Sequence, residues 1–200
     1  MFNDKFQLTL FFSLPFYPSK KRNLFFHGHI ALGIEDMVYQ IFDPKLLKSD
    51  FMVSIMPINE WLYNNSKMWV DKDPISQTYR YVHLYKTSEL QRTTVFYCGL
   101  NGLDNDVVLR AKDYFRAIDQ DYSQKKIKFT FFKNNCSELV SNFFCKEGLI
   151  KQNTFNIIPA PFFKNFVSAI KEGSYNYKVG VLGKKKGSEF KTHRFCIGLS

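Results

Sequence analysis

The chain has 200 residues, 45% of them hydrophobic and 18% aromatic, with 22 Phe. That length and apolar content describe one domain with a real core and exclude general disorder. The formal charge of +10 invites a nucleic-acid or anionic-membrane partner, but the lysines are dispersed and no nucleic-acid-binding motif accompanies them.

Taken in chain order, Leu8 to Tyr17 is apolar enough to suggest the core of a signal peptide. Asp4 offsets Lys5 ahead of it, Pro15 interrupts it, and no small-x-small cleavage site follows, so Phe6 to Phe16 is expected to be a strand. It is far too short to span a membrane. The expected location is cytoplasmic, or outside the cell after export by a dedicated secretion system.

Phe25 to Ile34 and Met37 to Phe42 read as two strands around the turn Glu35-Asp36. His27, His29 and Ala31 then share one side of the first strand. Gln40 falls where it could oppose His29 across the hairpin and hold one imidazole nitrogen. Asp43 is a rival for that role and His27 a rival base, but Gly28 leaves room for close approach at His29. Taken alone, either histidine reads as a hydrogen-bonded strand residue.

Asp43 to Thr78 is irregular and rich in Pro44, Pro57, Trp61, Tyr63, Trp69 and Pro74. It is either a substrate-binding wall or a packed loop whose Trp residues fill the edge of the core. Tyr79 to Tyr85, carrying His83, and Thr93 to Gly99 read as further strands. Asp106 is the expected cap of a helix with Val107, Ala111, Tyr114, Phe115, Ile118 and Tyr122 on its apolar face. That helix is expected to pack on the next one and set its tilt. Lys126 to Phe132 is expected to be a short strand.

At Asn135 a second helix begins. Asn135 can cap it, Glu138 stands three positions later as in a capping box, and Leu139, Val140, Phe143 and Phe144 form the apolar face up to Gly148. Cys136 lies in the first turn, where unpaired N–H groups and the helix dipole favour a thiolate. The alternative is a small buried hydrophobe, the usual fate of a free cysteine. Beyond Gly148, Pro159 to Ile170 reads as a short amphipathic helix opened by proline.

Four cysteines (Cys98, Cys136, Cys145, Cys196) without C-x-x-C spacing and only four histidines argue against a structural zinc site. Cys136 and Cys145 lie nine apart on one expected helix, too far for a disulfide along it. No cofactor or metal is expected, and a reducing compartment fits best. Cys98 closes a strand with no helix start after it, which argues against a nucleophile there. The tail carries Lys184-Lys185-Lys186, Lys191 and Arg194. A solvated basic surface is the plain explanation of the charge; it would also favour an anionic polymer or acidic lipid headgroups. The expected organisation is a single domain over 1–200, its core at about 6–177 and a basic tail at about 178–200.

Gly28-His29-Ile30-Ala31, the hairpin to Gln40, and Asn135-Cys136-Ser137-Glu138-Leu139-Val140 together resemble the circularly permuted NlpC/P60 superfamily of papain-like enzymes. The nearest branch is the YiiX/YaeF-like amidases, with lecithin:retinol acyltransferase-like proteins as more distant relatives. In that group the histidine strand precedes the cysteine helix, and the cysteine often opens a Cys-Ser-Glu-Leu-Val run. The order and spacing of elements extend the likeness from about Phe25 to Phe163. The third residue in these families is often His or Glu, so Gln40 departs from the pattern. The resemblance implies an α+β papain-like fold, with an antiparallel sheet packed against helices that include the cysteine helix. It implies Cys136 as nucleophile, His29 as general base and Gln40 as the orienting group. The implied function is a thiol hydrolase, an amidase or peptidase, with cell-wall peptide the leading substrate. A lipid ester hydrolase or acyltransferase is the enzymatic alternative, and a non-catalytic basic binding module the other.

Overall fold

The computed structural model describes residues 1–14, 28–47, 50–64, 68–72, 79–82, 94–130, 132–151 and 154–183. His27, His83, Cys196 and the lysines of the tail from 184 onward lie outside the described residues.

The elements run β1 (Leu8–Ser13), β2 (His29–Ile34), β3 (Met37–Ile41), α1 (Pro44–Leu47), β4 (Val53–Pro57), a π-helical turn (Glu60–Asn64), β5 (Met68–Lys72), β6 (Tyr79–Val82) and β7 (Val95–Asn101). Three longer helices follow, α2 (Asn105–Ser123), α3 (Cys136–Lys146) and α4 (Pro159–Glu172), with a 3-10 turn (Thr154–Ile157) before α4, and β8 (Asn176–Leu182) ends the described chain. Six strands form an antiparallel sheet in the order β4-β3-β2-β1-β7-β8, and β5 and β6 pair separately. The class is α+β.

The sheet is covered on both faces, and strand alternation decides what each face meets. Leu8, Leu10 and Phe12 of β1, Ile30, Leu32 and Ile34 of β2, and Cys98 of β7 join the core formed with α2, α3 and α4. Phe11, Ala31, Val38, Met56 and Tyr97 face the other way, into a second cluster with Phe2, Trp61 and Leu62. This is why β1 is buried at every position: it is a central strand with apolar layers on both sides. Trp61, 1% exposed, packs on Phe11 at 5.1 Å between ring centroids. That Trp is core filler rather than a wall open to substrate; the side chain of Trp69 lies outside the description.

Four sequence expectations are corrected. Lys126 to Phe132 forms no strand among its described residues. Ile127 and Phe129 pack on the helical core, and the segment closes in a turn where Thr130 N donates to Lys133 O at 2.8 Å. Alternation alone cannot make a strand without a partner to pair with. The stretch after Asp43 is more regular than expected, because β4 lies within it and pairs along β3 from Met37↔Pro57 to Ile41↔Val53. Helix α2 is capped by Asp104 rather than Asp106, the Asp104 side chain accepting from Asp106 N. At the C-terminal end β8 pairs with β7 as far as Val95↔Leu182, so the sheet continues past 177 into the segment read as a tail. No helix among the described residues is long and apolar enough to cross a membrane.

Candidate active site

Cys136 is the first residue of α3, and the local sequence explains why the helix starts there. Asn135 takes an extended conformation, and its Oδ1 accepts from Glu138 N at 2.8 Å, which satisfies one of the free N–H groups of the first turn. Its Nδ2 donates to Ile157 O at 3.0 Å, tying the helix start to the 3-10 turn before α4. Glu138 reaches back to Asn134 N. The capping box is thus displaced by one residue from the Asn135 amide, and Asn134 sits at φ 59 to allow it.

The far side of α3 is held by α2, as expected from the periodicity. Tyr114 Oη donates to Leu139 O at 2.9 Å, and the Tyr114 ring lies 5.5 Å from that of Phe143. Arg110 makes a two-pronged contact with Glu147 at the helix end, the closest approach being 2.7 Å. These contacts tie α3 to α2, while β2, the 3-10 turn and α4 pack on α3 more extensively.

Cys136 is half-buried and packs against the helical core. Burial has the largest effect and pushes its thiol pKa up, while the nearby Ile30 backbone pulls it down. The backbones of Ser137 and of Cys136 itself act in the same lowering sense, as does the Ser137 side chain, although Ser137 Oγ makes no well-formed hydrogen bond. The sulfur therefore rests among backbone amides of a helix start and a strand start, the setting in which a thiolate or an oxyanion is stabilised. Burial outweighs these contributions and favours the protonated thiol.

Ile30 stands at an open end. The β2–β3 ladder runs from Ile34↔Met37 to Ala31↔Gln40 and stops there. His29, one residue before Ile30, is the first residue of β2. The structure thus brings Cys136 to the strand start that carries His29. Alternation sends the side chains of Ile30 and His29 to opposite faces, Ile30 toward α3 and His29 to the side of Ala31. The register therefore sets the imidazole and the thiol on opposite faces at the start of β2.

Gln40 is 6% exposed and pairs with Ala31, not with His29. It shares the face of His29 as its diagonal neighbour, about 7–8 Å away between Cα atoms, within reach of a long side chain. Its Nε2 also approaches Met56 Sδ at 3.8 Å. Asp43, the rival orienter, accepts from Lys45 N at 3.0 Å and so caps α1.

The other described cysteines have different surroundings. Cys98 is fully buried on β7, and burial pushes its thiol up to about 12; it is a core residue. Cys145, on the last turns of α3, is half-buried with its pKa raised by burial. Among the described residues no group of three or more His, Cys, Asp or Glu could hold a metal ion.

Two residues escaped the sequence reading. Ser13 pairs with His29 across β1 and β2, and Ser137 follows Cys136; their hydroxyls are the buried side-chain oxygens without a hydrogen-bond partner among the described residues. Nothing in the local pattern around Ser13 marks it, because the pairing depends on register. No family model, no curated protein and no solved structure matches this chain.

Proposed function

We propose that this chain is a papain-like thiol hydrolase of the permuted order, acting on an amide bond in a peptide. The observation that carries the reading is the seat of Cys136: a half-buried thiol at a capped helix start, beside the start of β2 at Ile30, the residue after His29.

In this reading His29 takes the thiol proton and Cys136 Sγ attacks the carbonyl carbon. The oxyanion forms beside the first N–H groups of α3. The C–N bond breaks as His29 returns the proton to the leaving amine. Water, activated by the same imidazole, then cleaves the thioester, releasing the acid and restoring the thiol. Gln40 steadies the imidazole from the neighbouring strand. Burial raises the thiol pKa and works against this scheme, so the reading requires His29 to pair with the thiol and hold it as a thiolate. Cell-wall peptide is the first substrate class to screen, and a lipid ester the second.

A non-catalytic binding module of the same shape is the competing reading, and the placing of His29 on the opposite face of β2 speaks for it. Site-resolved iodoacetamide labelling across pH, in the wild type and His29→Ala, separates the two. Fast labelling of Cys136 at mildly acidic pH that disappears with His29 supports the hydrolase. Labelling of Cys136 no faster than Cys145, and indifferent to His29, overturns it.

A further inference from the structure

Ser13 ends β1 at 2% exposure, and its Oγ has no hydrogen-bond partner. A buried hydroxyl left unsatisfied costs free energy, so such a group needs a reason. Only one other described residue shares that condition, Ser137 beside the thiol.

The β1–β2 register places Ser13 directly opposite His29. Glu35 N donates to Gln7 O at 3.0 Å, and stepping by two along the ladder from that pair makes Ser13↔His29 a hydrogen-bonded pair. Their Cα atoms are then about 5.5 Å apart, and their side chains leave on the same face. Gly28 pins this arrangement. At φ +79 it lies so close that an added Cβ would stand 2.4 Å from Ser13 O and 2.6 Å from the Phe12 ring. The backbone entering His29 is therefore held against Ser13.

We propose that Ser13 is a positioning residue for His29: its hydroxyl accepts the ring N–H that faces β1, leaving the other ring nitrogen to take the thiol proton. The proposal rests on the reading of His29 as the base. A serine hydroxyl has two acceptor lone pairs and can turn to meet that donor. The hydrogen bond strengthens when the ring becomes an imidazolium. The hydroxyl that lacks a partner at rest thus has its acceptor capacity free for the state that catalysis passes through. Gln40 approaches from β3 on the other side of β2, so the ring would be held from both flanking strands.

The titratable side chains on the elements around His29 are few. β1 carries none; β3 carries Tyr39, which faces the helices, with Asp43 just beyond its end; the π-helical turn on the Ala31 side carries Glu60 and Tyr63; α3 presents Cys136 and Glu138. A change in the His29 titration on altering Ser13 is therefore not a charge effect of Ser13 itself.

The test is the His29 imidazole pKa by NMR of isotope-labelled histidine, assigned with His29→Ala. It is measured in the wild type, Ser13→Ala and Ser13→Thr, each also with Cys136→Ala. Ser13→Ala should lower the His29 pKa by about one unit in both backgrounds, since a hydrogen bond to the charged form is lost. Ser13→Thr, which keeps the hydroxyl, should leave it near the wild-type value. An unchanged pKa in Ser13→Ala, or an equal fall in Ser13→Thr, overturns the proposal. The Cys136→Ala background alone tests the underlying reading: if it leaves the His29 titration untouched, the thiol–imidazole pairing fails, whatever Ser13 does.

Discussion

The backbone of Ile30 acts on the sulfur of Cys136 and lowers its pKa, which relates the start of a central strand to the start of a helix. Ile30 is fully buried, and its side chain packs in the same core as Leu139 and Val140 of α3. The thiol is therefore located by packing, by the Asn135 cap and by a strand amide at once. A side chain fixed by several elements needs little reorganisation to react.

The clamp of Gly28 on Ser13 gives the first prediction. Gly28→Ala meets both the left-handed φ and a backbone oxygen 2.4 Å from the new Cβ, and should lower stability by about 2 kcal/mol or more. Gly148, at φ +71 with nothing within 4 Å of an added Cβ, is the control. Gly148→Ala should cost about 1 kcal/mol, for the dihedral alone. Urea midpoints at constant m compare the two; equal losses would mean that the contact with Ser13 is not tight.

Asn135→Ala removes the cap of α3 together with the tie to Ile157. The expected loss is about 1–2 kcal/mol by urea denaturation. Asn135→Ser restores an acceptor for Glu138 N without the donor to Ile157, and should recover only part. Full recovery in the serine variant would show that the link to the 3-10 turn contributes nothing.

How far the sequence could be read follows from where period and register each act. α2, α3 and α4 were legible because each carries a helical period, and β1, β2 and β3 because each is an apolar run. β4 was not, because its short run from Val53 ends at Pro57 within a stretch rich in turn formers. β8 is an edge strand whose Lys178 and Val181 are solvent-facing; only its pairing with β7 defines it. The opposition expected between Gln40 and His29 fails by two residues. A two-residue turn at Glu35-Asp36 pairs Ile34 with Met37, and counting back from there puts Gln40 against Ala31. That signal was present in the turn. The approach of Cys136 to β2 was implied only by the order of two motifs, since no period connects residues so far apart in the chain.

Tyr114→Phe keeps the ring that packs on Phe143 and deletes the donor to Leu139 O. The expected cost is about 1 kcal/mol, read from the urea midpoint. If Tyr114 sets the tilt of α3, Cys136 labelling should slow in the same variant. Loss of stability with unchanged labelling would make the contact a matter of stability alone.

Cys98 supplies a pH dependence. Its folded pKa is about 12 against 9.0 for an unperturbed thiol, because burial disfavours the thiolate. The stability this contributes is complete below pH 9.0 and is lost as pH rises toward about 12. In that window the unfolded chain releases a proton that the folded chain keeps, a slope of about 1.4 kcal/mol per pH unit. Tyr97, raised to about 12 first by burial and then by its hydrogen bond to Asp4, acts in the same direction. Cys98→Ala should flatten the decline between pH 9 and 11 in denaturation curves. An identical decline in that variant would remove Cys98 as its cause.

Gln40 provides the sharpest division between a catalytic and a structural reading of the strand pair. Buried beside Met56 and diagonal to His29, it steadies the imidazole in the proposed scheme. Gln40→Ala should slow Cys136 labelling at mildly acidic pH by about threefold to tenfold, the worth of one hydrogen bond, and by less than His29→Ala. Gln40→Glu places a carboxylate near the imidazolium and stabilises it, raising the His29 pKa and extending fast labelling to higher pH. A structural amide predicts another pattern: both variants lose stability through unpaired burial, and neither alters the pH profile. Labelling curves for the three variants, set beside their urea midpoints, separate these outcomes.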